Sequence, residues 1–133
     1  MTTQIIKEIQ SISGVKGRLT FNPEVIKHIA AIVARDVIGI YSISGGIFDG
    51  IAERLSNKQQ YKGIKVVVEE SEVVFDINII VEYAHSIPDI YKELKSDLKQ
   101  TIYYMTGLEV VEVNLMVDGL KIVEELNEEI AKD

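Results

Sequence analysis

The order of apolar and polar residues divides the chain into short strands, two helices and an acidic tail. In "VKGRLTF", Val15, Leu19 and Phe21 share one alternating row, the pattern of a short strand. In "NPEVIKHIAAIVARD", Val25, Ile29, Ile32 and Val33 fall on one helical face, and Ile26, Ala30 and Val37 widen it. Asn22 can cap the free N–H groups of that helix, Pro23 fits its first turn, Glu24 suits its positive end, and Gly39 is a natural stop.

A period of two then takes over. Ile64, Val66 and Val68 form one apolar row; Phe75, Ile77, Ile79, Val81 and Tyr83 form another, and the "EESE" between them reads as the turn of a β-hairpin with one buried face. Asp76, Asn78 and Glu82 face the other way. The helical period returns in "HSIPDIYKELKSDLKQTIYYMTG". Ser86 and Asp89 have capping-box spacing around Pro88, Ile87, Ile90, Tyr91, Leu94, Leu98, Ile102 and Met105 form the stripe, and Gly107 ends it. "LEVVEVNLMVDG" is a last strand, with Val111, Val113, Leu115 and Val117 inward and Glu112, Asn114 and Asp118 outward. Ile122, Leu126 and Ile130 lie four apart in "LKIVEELNEEIAKD", the spacing of an acidic amphipathic helix.

This order predicts an α+β fold of β-α-β-β-α-β split topology: a mainly antiparallel sheet, two helices on one face, and a C-terminal acidic helix. The expected organisation is a lead segment over residues 1–15, one domain over 16–120, and the tail over 121–133. An open sheet face and a tail helix are places where partners dock.

Composition narrows the function. A chain of 133 residues with 47% hydrophobic and 26% charged residues has room for one domain with a real core. Without cysteine it has neither a disulfide framework nor a cysteine-based zinc site, in keeping with a reducing compartment. "MTTQIIKEIQ" lacks the features of a signal peptide, and no apolar run spans a bilayer, so a cytoplasmic protein is expected. The net charge of −7 disfavours general nucleic-acid binding and direct adhesion to anionic lipid. One local exception, "RLSNKQQYKGIK", carries Arg54, Lys58, Lys62 and Lys65 with no acid among them; it reads as a solvated loop, or as a weak basic patch for an acidic partner.

Candidates for chemistry are sparse. The loop "SISGGIFDG" has Gly45, Gly46 and Gly50 but neither the lysine of a P-loop nor dinucleotide spacing, and Asp49 would repel a phosphate. It is a flexible bend suited to contact with a neighbour. "GVKG" has KH-loop spacing but precedes a strand instead of joining two helices. His28 and His85 are scattered; His85 with Asp89 would supply only half a metal site, so no metal or cofactor is expected. No serine, lysine or carboxylate stands in a catalytic arrangement, and Asp76 reads as an outward strand position. Tyr83 and Tyr91 follow the core period, whereas Tyr103 and Tyr104 suit an exposed contact.

"LTFNPEVIKHIAAIVARDVIGIYSISGG", "KGIKVVV", "FDINIIVEYAHSIPDIYKELK" and "MTGLEVVEVNLMVDGL" together resemble the alkaline-shock (Gls-type general stress) proteins of Gram-positive bacteria, also called envelope stress response proteins. The resemblance runs over roughly residues 16 to 122, carried by the order and spacing of "EVI…IA", "GI", "VEY" with "IP", and "TGL". It implies a non-enzymatic cytoplasmic protein of envelope homeostasis, self-assembling or held at the membrane by an anchored relative, with no catalytic residues to carry over. Ala84 departs from the glycine common in the family, so the turn after that strand is expected to differ. The expected contacts are Gly45, Gly46, Asp49, Gly50, Arg54, Lys58, Lys62, Tyr103, Tyr104, Ile122, Leu126 and Ile130. A regulatory subunit for a lipid or wall-precursor enzyme is the rival reading, with nucleic-acid binding through the basic patch behind it.

Overall fold

The computed structural model describes residues 7–8, 14–45 and 62–123. Within them the order is β1 (Lys7–Glu8), β2 (Arg18–Leu19), α1 (Pro23–Arg35), β3 (Ile40–Ile43), β4 (Ile64–Glu69), β5 (Glu72–Glu82), α2 (Ile87–Thr106) and β6 (Glu109–Lys121). The fold class is α+β, as the residue pattern predicts. The helical turn expected around Ile51 to Leu55 lies outside the described residues. Of the tail helix expected over residues 121–133, Lys121 ends β6 and Ile122 and Val123 are not helical; residues 124–133 lie outside the described residues.

β5 is the spine of the main sheet. Its Val73, Phe75, Ile77, Ile79 and Val81 are all buried, one row of a period-two strand. On one edge it pairs antiparallel with β4 from Glu72 to Ile77, and beyond them with β3 from Ile79 to Val81. These two short strands therefore lie end to end along the same edge. They meet where Asn78 donates its N–H to Gly63 and accepts from the Ser44 N–H, at 2.8 and 2.7 Å. A Cβ on Gly63 would stand 2.0 Å from the Ser44 carbonyl oxygen, so only glycine fits the junction.

The opposite edge of β5 pairs along its whole length with β6, in parallel, after the α2 crossover. The sheet thus combines two antiparallel pairings with one parallel pairing between adjacent strands. The first predicted strand is outside this sheet. β2 is two residues long and pairs with β1, and Val15 and Leu19 are exposed, because that ladder has no face against the core.

Both helices cover the buried row, α1 over β3 and β4, α2 over β6. The Asn22 side chain accepts from the Glu24 N–H at 2.9 Å, and Ser86 accepts from the Asp89 N–H at 3.3 Å, as predicted. Gly107 closes α2 at φ 79°, its N–H donating to the Tyr103 carbonyl. The stripes are rotated from their predicted centres. In α1 the buried residues are Ile26, Ile29, Ala30, Val33 and Ala34, leaving Val25 and Ile32 exposed; in α2 they are Ile90, Leu94, Leu98, Ile102 and Thr106, leaving Ile87 and Met105 exposed. Several apolar faces were available on each helix, and the sheet selects one.

β6 also departs from strict alternation. Its register against β5 skips Val111 and Asp118, one bulge near each end. Val110 and Val113 consequently point inward, and Val111, predicted inward, is 50% exposed. Tyr83, predicted to extend the buried row of β5, lies just past the strand and is 61% exposed.

Candidate functional site

The face of the sheet away from the helices carries a polar ladder. Asn114 Nδ2 donates to Asp76 Oδ1 at 2.8 Å and to Glu112 Oε2 at 2.9 Å. Nearer the other end, the Ser44 hydroxyl and Asn78 Nδ2 both donate to Asp118 Oδ2, at 2.8 and 2.9 Å. Asn78 first and Ser44 second hold the Asp118 carboxyl below the usual carboxylate range. The second bulge of β6 is thereby tied across β5 to the segment after β3. The neighbouring Ser42 hydroxyl is buried without a hydrogen-bond partner among the described residues.

The histidines stand apart. His85 Nε2 lies 3.3 Å from Oε1 of Glu82, the last residue of β5, and not beside the Asp89 that its spacing suggested. His28 is exposed on α1. Among the described residues no group of three His, Cys, Asp or Glu side chains could hold a metal ion.

The predicted contact residues do not converge on one place. Tyr103 and Tyr104 are exposed at the C-terminal end of α2, Tyr104 by 88%, beside exposed Met105. Ile122 is also exposed, but it follows β6 at the end remote from those tyrosines. Gly45, at φ 80°, and Lys62 are brought together beside the β3–β4 junction, where a Cβ on Gly45 would lie 4.0 Å from the Lys62 carbonyl carbon. Gly46, Asp49, Gly50, Arg54, Lys58, Leu126 and Ile130 lie outside the described residues.

A different surface is the most developed one. Between α2 and β6 runs a groove of about 600 Å³. Its floor is five consecutive residues of β6, Val110 to Asn114, and one wall is the α2 face bearing Tyr91, Lys92, Lys95 and Lys99. Tyr91 donates its hydroxyl to the Val113 carbonyl at 2.9 Å, and Lys95 Nζ stands 4.4 Å from the centre of the Tyr91 ring. Lys99 Nζ is 3.9 Å from Glu109. Among the described residues neither Lys92 nor Lys95 makes an ion pair, whereas Lys99 faces Glu109, and Glu112, on the floor, accepts from Asn114; the positive charge is therefore concentrated at Lys92 and Lys95. The signal for it was present in the sequence as lysines spaced three and four apart on the solvent side of a helix. The edge of β6, unpaired among the described residues, supplies the rest, and no local pattern announces which strand ends a sheet.

Comparison with known proteins agrees with this architecture. Residues 11–122 match the alkaline shock protein 23 family, described as having a cell envelope-related function. The chain is 32% identical over 132 residues to a protein named stress response regulator gls24 homolog from Streptococcus pyogenes serotype M1, covering 97% of this chain and 74% of that one. It is 30% identical to the Bacillus subtilis proteins YqhY, over 79% of this chain and 78% of that one, and YloU, over 80% and 90%. Among solved structures a MamM CTD superposes with a TM-score of 0.52 at 9% identity, over 74% of this chain and 96% of that one, a likeness of fold. With its two helices on a four-stranded sheet and a family match running from residue 11 to the end of β6, this chain belongs to the alkaline shock protein 23 family of envelope-related stress proteins.

Proposed function

We propose that the chain is a non-enzymatic interaction protein that supports the cell envelope under stress by assembling with itself and by docking to a membrane-held partner. The observation that carries this reading is the outer edge of β6. A strand of thirteen residues borders the sheet with no further strand beside it among the described residues. Such an edge presents unpaired N–H and C=O groups to any chain that can lie along it. Exposed Tyr103, Tyr104 and Met105 near its start and Ile122 beyond its end add apolar contact area. Among the described residues no helix is long and apolar enough to cross a membrane; in this reading a membrane-held partner brings the chain to the cytoplasmic side of the envelope. The sequence candidates near the β3–β4 junction, Gly45 and Lys62, serve as a secondary contact.

Sedimentation of the purified full chain over a wide concentration range tests self-assembly, and crosslinking with a tagged copy in a Gram-positive host tests docking. The reading requires concentration-dependent assemblies, or recovery of a membrane-anchored protein. A strictly monomeric chain that recovers one soluble enzyme at fixed stoichiometry contradicts it and supports the regulatory-subunit reading.

A further inference from the structure

We infer that the lysine-walled groove along β6 seats the acidic C-terminal segment, residues 124–133, of a second copy of this chain. The inference rests on the self-assembly reading above and names the contact that would drive it. Three observations combine.

The first is charge. Lys92, Lys95 and Lys99 form one positive wall in a chain of net charge −7, and the first two have no ion-pair partner among the described residues. The complementary feature in the same sequence is "EELNEEIAKD", in which Glu124, Glu125, Glu128 and Glu129 precede a single lysine. The second is the floor. Val110 to Asn114 are consecutive strand residues, so the groove exposes an edge of main chain together with half-exposed Val111, and an occupant gains hydrogen bonds and apolar contact as well as ion pairs.

The third is reach, which selects a second copy. Tyr91 bonds to Val113 and Lys99 approaches Glu109, so α2 runs antiparallel to β6, with Lys95 and Lys99 beside the start of the strand. The tail leaves from its other end. From Lys121 back to Val111 the strand spans about 33 Å, whereas even fully extended the chain from Val123 to Glu129 spans about 20 Å. With side chains extended, the glutamates of the same chain reach the Lys92 end of the wall and still fall short of Lys99 at its far end, so the tail of a second copy is what can fill the whole wall. Seated in a neighbour, the tail of each copy occupies the groove of the next, a head-to-tail contact that builds rings or open chains.

A labelled peptide of residues 122–133, titrated into the full chain at low salt, tests the contact directly. Binding should saturate, weaken with added salt, and weaken about tenfold in a Lys92→Glu, Lys95→Glu chain. A peptide carrying Glu124→Lys, Glu125→Lys, Glu128→Lys and Glu129→Lys should restore it to that variant, a gain that misfolding could not produce. Peptide binding that ignores both charge reversals overturns the inference. So do assemblies of the full chain that persist unchanged in the lysine variant, and that result leaves the self-assembly reading standing. A chain that is monomeric at every concentration overturns both.

Discussion

The two edges of the sheet are built on opposite plans. One is shared by β3 and β4, strands of four and six residues that abut at Gly63, carry a register shift between Ile40 and Ser42, and leave little continuous backbone for a neighbour to read. The other is β6 alone, thirteen residues without interruption except for two bulges. Short, irregular edge strands are a common defence against unwanted pairing, and long open ones are a hazard unless they have a use. Here the long edge is fitted with a basic wall, a tyrosine bonded to one of its carbonyls, and exposed tyrosines near one end. The difference separates an edge broken into short strands from one left long and open among the described residues.

The junction that interrupts the first edge is the easiest part to break. Gly63→Ala places a methyl group against the Ser44 carbonyl, which must move and pull the β3–β5 pairing with it. A loss of about 2–3 kcal/mol is expected, read as a lower midpoint in chemical denaturation. A midpoint equal to that of the parent chain would show that the abutment of β3 and β4 is dispensable.

At the second edge, Tyr91→Phe removes the hydroxyl that occupies the Val113 carbonyl. Stability should fall by about 1 kcal/mol, and assembly should strengthen as an edge acceptor is freed. Lower stability with weaker assembly would mean that the hydroxyl orders the groove instead of guarding it.

Ala84→Gly is a control outside both edges. Ala84 sits at φ 79°, so the chain keeps a glycine-type turn while placing an alanine in it. Relief of that strain should raise the midpoint of thermal unfolding, by about 1 kcal/mol in stability, without altering assembly. An unchanged or lower midpoint would mean that the turn is not strained.

The smallest effect concerns the tie between the edges. Asn78 and Ser44 lower the native pKa of Asp118, so its contribution is fully present above the unfolded value, near 3.9, and is lost as pH falls through the lowered native value. Asp118→Asn should therefore flatten the acid side of the stability profile while leaving the pH dependence near neutrality unchanged. A variant whose loss of stability with acid matches the parent would remove Asp118 from the account.

These regions also differ in how legible they were in the sequence. β4, β5 and both helices follow from unbroken apolar periods with capping signals at Asn22, Ser86 and Gly107, because burial on one face imposes a period that local residues reveal. The centres of the helix stripes did not follow, since Val25, Ile32, Ile87 and Met105 are as apolar as the residues chosen for the core. The burial of Val110 in place of Val111 was hidden for a related reason. A bulge shifts the alternation by one residue, and in "LEVVEV" either valine satisfies the local pattern. Tyr103 and Tyr104 were identifiable by falling outside a period, whereas Tyr83 follows one and is exposed because β5 ends at Glu82. The lysine groove was not identifiable, because it depends on which strand is left at the border, a property of the pairing order and not of any segment.

The central claim is that β6, and not the β3–β4 edge, is where another chain meets this one. Amide hydrogen exchange followed segment by segment as the protein concentration is raised tests it most directly. The account predicts that exchange within residues 109–121 slows with concentration while that of residues 64–69 stays the same. Slowing confined to β4, or assembly that leaves β6 exchanging at its dilute rate, would contradict it.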